Sequence, residues 1–245
     1  MHFLDTSLGG AGREFPRTTI GFLGALRSPE AADYARALED LARRYWKPVY
    51  AYVRLVRARS NEDAKDLTQA FFAWLLESEA LRRYDPARGG FRAFLKTLLR
   101  HFVSREERDV ARLKRGGGVK ILSLDEVRGA LPEPGAGPEA DPERAFERVW
   151  FEELVRAALA RVRRRWEESG RGLRFRAYEE FALVPEAQRP SCAELAARLG
   201  LGVGEVEKAL YAVREDLRRE LRAALAETAG DDRDLEHEWR NLLGL

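Results

Sequence analysis

Phe91, Phe94, Leu95, Leu98 and Phe102 recur at helical spacing, while Arg92, Lys96 and Arg100 recur every four residues along another side of the same segment. A helix written this way must bury its aromatic stripe against another element and turn its cations toward something else. The turn Tyr84-Asp85-Pro86-Ala87-Arg88-Gly89-Gly90 leads into it and Gly116-Gly117-Gly118 stops it, so the spacing predicts a helix over 91–115. Arg105, Arg108, Arg112 and Arg115 prolong the basic row. Closely spaced phosphates of a nucleic acid reward such a row through counterion release. A plain solvated face is the alternative that the row alone leaves open.

The rest of the chain repeats the helical period. Leu38, Leu41, Tyr45, Val49, Tyr52, Val53 and Val56 form one apolar stripe, which Pro48 is expected to kink or divide. Ser60 and Asp63 are placed to cap a second helix that buries Ala64, Leu67, Phe71, Trp74 and Leu75. Phe146, Val149, Trp150, Leu154, Ala157, Ala158, Leu159 and Val162 form another stripe, followed by a shorter one around 175–183. No stretch alternates as a strand would, so the expected fold is all-α: two helical domains joined by a flexible linker, the second containing a helix-turn-helix. The expected divisions are an N-terminal arm (1–28), a first helical domain (29–115), a Pro- and Gly-rich acidic linker (116–142), a second domain (143–225) and an acidic extension (226–245).

Charge follows these divisions. The chain carries +2 overall, but residues 1–115 hold 22 basic against 15 acidic residues, whereas 116–142 hold 2 against 5 and 226–245 hold 2 against 6. In the extension Leu235, Trp239, Leu242 and Leu243 fall at near-helical spacing, so it is expected to fold back on the second domain or to act as a flap over the basic face. No apolar run approaches the roughly twenty residues needed to span a bilayer, and residues 1–12 lack the layout of a secretory signal. The expected location is therefore the cytoplasm, with no membrane partner. The single cysteine, Cys192, allows no internal disulfide and reads as a small packed side chain.

Ser191 and Glu194 form a capping box that opens a short helix ending at Gly200-Leu201-Gly202. A longer helix follows with Val206, Leu210, Val213, Leu217 and Leu221 inward. Two helices around a short Gly-containing turn over 191–222 match a helix-turn-helix, whose second helix enters the DNA major groove. Lys208, Tyr211, Arg214 and Arg218 lie on its outer side, together with Arg222. An ordinary helical hairpin is the other reading. Glu205 and Glu207 in the first turn suit the helix dipole and oppose phosphate, which leaves base reading open.

Taken in order, these segments resemble bacterial RNA polymerase sigma factors of the extracytoplasmic-function (ECF-like) type over most of the chain. Tyr45-Trp46-Lys47-Pro48-Val49-Tyr50-Ala51-Tyr52-Val53-Arg54 and Asn61-Glu62-Asp63-Ala64-Lys65-Asp66-Leu67-Thr68-Gln69-Ala70-Phe71-Phe72 resemble the start of that family's region two. Asp85-Pro86-Ala87-Arg88-Gly89-Gly90-Phe91-Arg92-Ala93-Phe94-Leu95 resembles its promoter-melting segment, and residues 191–222 resemble region four. The chain departs from the pattern at Ala70, where relatives usually carry Glu, and at His101, where many carry Asn.

The resemblance implies a factor that binds core RNA polymerase and directs it to promoters. Asp66 and Gln69, three apart on one face, would meet the clamp helices of the largest subunit. Arg92, Lys96, Arg100, His101, Arg105, Arg108, Arg112 and Arg115 would hold the minus-10 element and help melt it. Lys208, Tyr211, Arg214 and Arg218 would read the minus-35 element, with region four also touching a flap of the second large subunit. The acidic linker would pass through polymerase channels otherwise used by nucleic acid, and an anti-sigma protein is a further conceivable partner. No catalytic residue, metal or cofactor is expected: there is no Gly-Lys-Ser/Thr phosphate loop, no Cys/His metal spacing, and His2, His101 and His237 are scattered. The competing function is a helix-turn-helix regulator that acts on duplex DNA without polymerase.

Overall fold

The computed structural model describes residues 31–56, 60–116, 141–226, 228–229 and 231–243; the expected arm and nearly all of the linker lie outside them. The described residues are all-α, with eight helices, short 3-10 turns and no strand.

Helix α1 (Ala31–Leu55) buries Tyr34, Leu38, Leu41, Tyr45, Val49 and Val53. Of the two outcomes expected at Pro48, a kink or a division, the division does not occur. The helix carries on through the proline because residues on both sides, Trp46, Val49 and Tyr50, are held in the core, and that packing outweighs one missing backbone hydrogen bond. Helix α2 (Asn61–Ser78) starts at Ser60, whose Oγ accepts the Asp63 N–H at 3.1 Å while its hydroxyl donates to the Asp63 carboxylate at 2.7 Å. Its inward face is Ala64, Leu67, Phe71, Phe72 and Leu75.

The turn before helix α3 (Phe91–Gly116) is fixed residue by residue. Asp85 accepts the Ala87 N–H at 3.1 Å, Pro86 sits at the first position of a 3-10 turn, and the Tyr84 hydroxyl donates to the Gly89 carbonyl at 3.2 Å. Gly89 has φ 126° and ψ 176°, a conformation essentially closed to residues with a Cβ, so a side chain here would strain the approach to α3. Phe91 is fully buried and packs its edge against Tyr84 and Tyr45.

Helix α4 (Pro142–Glu168) begins at Asp141, which accepts the Glu143 N–H, and lies mainly along α1. Its first half gives Phe146, Trp150 and Leu154 to the core built by α1, α2 and α3; its second half gives Ala158, Val162 and Trp166 to another core. Helices α5 (Gly172–Ala182), α6 (Cys192–Leu199) and α7 (Val203–Ala226) complete that second core through Phe175, Tyr178, Leu195, Val206, Leu210, Val213 and Leu217. Cys192 is partly buried against it.

The two cores share helices. α4 serves both cores, and so does α7, whose Leu225 joins the first core while Leu221 touches both. A polar seam ties these two long helices together. Glu220 of α7, 5% exposed, accepts from Arg161 at 2.6 Å and Arg165 at 3.1 Å, and Asp216 accepts the Trp166 indole N–H at 2.8 Å. Helix α8 (Asp232–Leu243) folds back on α7, where Arg222 pairs with Glu236 at 3.4 Å and lies 5.9 Å over the Trp239 ring, and it sets Leu235 and Trp239 against the first core. Upstream of α8, the Thr228 carbonyl accepts the Phe91 N–H at 2.9 Å, which satisfies a donor left open at the start of α3.

Candidate nucleic-acid interface

The basic stripe of α3 divides into a covered half and an open half. In the covered half, Arg92 sits beneath α4 and α8: its Nε lies 3.0 Å from a Glu147 oxygen, an Nη lies 3.0 Å from a Glu238 oxygen, and the guanidinium stacks 3.9 Å above the Trp150 ring. Lys96 reaches Glu147 at 2.6 Å and Glu143 at 3.9 Å, and Arg100 reaches Glu143 at 2.5 Å. As the number rises along α3 it falls along α4, so the two helices run antiparallel as a charge zipper. Exposure climbs along it, from 11% for the Arg92 side chain to 19% for Lys96 and 53% for Arg100.

In the open half, His101, Arg105 and Arg108 are exposed and, with Trp74, Phe102 and Ser104, line a hollow of about 320 Å³. Trp74 comes from α2 and stands 5.5 Å from Phe102, centroid to centroid, at 36°; Phe71 backs both rings. The hollow therefore has an aromatic wall fixed by the core and a cationic rim from α3. That combination can stack a flat ring and hold the negative groups flanking it. Arg112 and Arg115 lie farther along α3, where side chains fall outside the described residues. Phe94 is partly buried, with its ring against Tyr84 and Phe91.

On α2, Asp66 and Gln69 are both exposed and share an outward face with Ala70, Ala73 and Leu76, the last 46% exposed. Small side chains between an acceptor, an amide and an exposed leucine leave room for a partner helix to approach closely.

On the far side of the second core, the Ser191 and Glu194 capping box is complete: Ser191 Oγ accepts the Glu194 N–H at 3.2 Å, and the Ser191 N–H donates to the Glu194 carboxylate at 2.7 Å. That amide, together with the Ser191 hydroxyl, holds the Glu194 carboxyl below its ordinary value. Gly200 (φ 65°) makes the left-handed turn between α6 and α7. Lys208, Tyr211, Arg214 and Arg218 are all exposed along α7, Tyr211 at 68%. Arg214 lies 5.8 Å over the Phe181 ring and Arg218 pairs with Glu215. Glu205 turns back on its own helix start: it accepts the Gly202 N–H at 3.0 Å and pairs with Arg174 at 2.6 Å, and these contacts, the amide first, lower its pKa. It caps α7 and is engaged within the chain.

Three features were not singled out from the sequence. Trp74 was read only as core, although it is the wall of the hollow. Glu143 and Glu147 repeat four residues apart, in step with Arg92, Lys96 and Arg100, and that shared spacing is the signal that pairs the two helices. Glu238 stands among other acids of the extension, and no spacing sets it apart as the partner of Arg92. Burial pushes the Tyr45 hydroxyl, packed beside Arg92, up to about 12.

Among the described residues no group of His, Cys, Asp and Glu could hold a metal ion, and no helix is long and apolar enough to cross a membrane. No protein-family model, no curated protein and no solved structure matches the chain.

Proposed function

We propose that this chain is a transcription initiation factor of the sigma type, which binds core RNA polymerase, brings it to promoters and traps melted DNA without making or breaking any bond itself. The observation that carries the proposal is the hollow of Trp74, Phe102, His101, Arg105 and Arg108, because a fixed aromatic wall with a basic rim suits an unstacked base and its neighbouring phosphates. Each element of the proposal has its own surface. The exposed Asp66 and Gln69 face of α2 docks on the polymerase clamp helices. The two cores act as two domains, and α6, the turn and α7 act as a helix-turn-helix that sets Lys208, Tyr211, Arg214 and Arg218 against the minus-35 DNA. Glu205, spent on capping, leaves the base contacts to residues farther along α7.

Copurification with core RNA polymerase tests this reading. The wild-type chain should be retained by immobilised core enzyme, and Asp66→Arg should release it while leaving the melting temperature unchanged. Retention of neither chain would refute the proposal, and tight sequence-specific binding of duplex DNA by the free chain would favour a polymerase-independent regulator instead.

A further inference from the structure

The same cations that would grip DNA are held by the chain's own carboxylates. We propose that α4 and α8 mask the upper half of the basic stripe, so that melted DNA must displace Glu143 and Glu147 to reach Lys96 and Arg100; this rests on the reading of α3 as a nucleic-acid face.

The geometry grades the mask. At one end Arg92 is fastened by two carboxylates at 3.0 Å and by Trp150, and its side chain is only 11% exposed. That end behaves as a bolt, tightened by Leu235 and Trp239 of α8 against the first core and by the Thr228 carbonyl on the Phe91 N–H. At the other end Arg100 is 53% exposed and has Glu143, 40% exposed, at 2.5 Å. A phosphate offers the same oxygens to a guanidinium as this carboxylate does, so it can compete there without unpacking the core. An exposed pair of this kind holds its partner by a factor of only about two to five. Lys96 sits between the two regimes, bonded to Glu147 and at the edge of reach of Glu143. The acidic residues of α4 thus act as an internal stand-in for the DNA backbone. They would suppress binding of stray nucleic acid while allowing a correctly placed strand to take over from the exposed end.

The test is the affinity of the full chain for a labelled single-stranded DNA of mixed sequence across a salt series. Glu143→Gln keeps the shape of the side chain and removes the charge that holds Arg100. Glu152→Gln removes an exposed charge from the same helix away from the basic stripe and controls for net charge. The mask predicts that Glu143→Gln binds about two to five times tighter than Glu152→Gln. It also predicts a log–log salt slope steeper by up to about 1.4, since each new phosphate contact on a single strand adds about 0.7. Thermal unfolding confirms that both variants are folded. Equal affinities and slopes for the two variants would overturn the mask and leave the nucleic-acid reading standing. Failure of every chain to bind at low salt would overturn both.

Discussion

Replacing Arg92 with Met separates two views of the stripe, because one treats this residue as a DNA contact and the other as a fastener of the fold. The side chain is 11% exposed, faces carboxylates of Glu147 and Glu238 at 3.0 Å each, and stacks on Trp150 at 3.9 Å. Removing one partner from a buried ion pair costs about 3–5 kcal/mol. Glu238, 10% exposed, loses the guanidinium, but Glu147 keeps Lys96 at 2.6 Å and is 35% exposed, so one of the two charges stays compensated and the loss is at least the low end, about 3 kcal/mol. In a chain of this length each kcal/mol moves the melting temperature by roughly 2–4 °C, which gives a drop of at least roughly 6–12 °C. Arg92→Lys should recover only part of it, since one ammonium cannot span two carboxylates and lie flat on an indole. Far-UV circular dichroism during heating reads the effect directly. A melting temperature within a degree of wild type, together with weakened DNA binding, would refute the reasoning and return Arg92 to the DNA interface.

Glu220→Ala should destabilise the chain by about 3–5 kcal/mol, because Arg161 loses its carboxylate inside the α4–α7 seam; pairing it with Arg161→Met should restore most of that in the same melting assay. Ser191→Ala should lower stability by about 1 kcal/mol in urea unfolding through loss of the α6 cap. The Glu194 carboxyl, whose pKa is depressed in the fold, favours the folded state above pH 4.5 and loses that contribution as pH falls through its lowered value; carbon NMR should show its midpoint below 4.5, moving upward in Ser191→Ala. Arg108→Ala, on the rim of the hollow, should leave the melting temperature within a degree while making the salt slope for single-stranded DNA shallower by about 0.7.

Helix positions were legible because apolar residues at three- and four-residue spacing have only one way to bury together. The stripe of Phe91, Leu95 and Phe102, the cap at Ser191 and the inward row from Val206 to Leu217 all follow from that constraint. Pro48 shows the reverse: local propensity argues for a kink or a division, and the helix runs undivided through it where Trp46, Val49 and Tyr50 are packed. What local pattern cannot show is which helix covers which. Arg92, Lys96 and Arg100 looked available because their partners lie some fifty residues away on α4 and farther still on α8. The tail was legible as amphipathic and its return onto residues 143–225 is met at α7, but its contact with the first core was not legible, since Leu235 and Trp239 suit any apolar groove. Trp74 faces both inward and toward the hollow, and periodicity reports only the first.

Reconstituted transcription tests the central claim most directly. Purified core RNA polymerase, incubated with this chain and a library of genomic fragments from the same cell, should start RNA at a defined subset of sites that share a sequence upstream. Asp66→Arg should abolish those starts. Transcripts no different in position or amount from those of core enzyme alone would contradict the account.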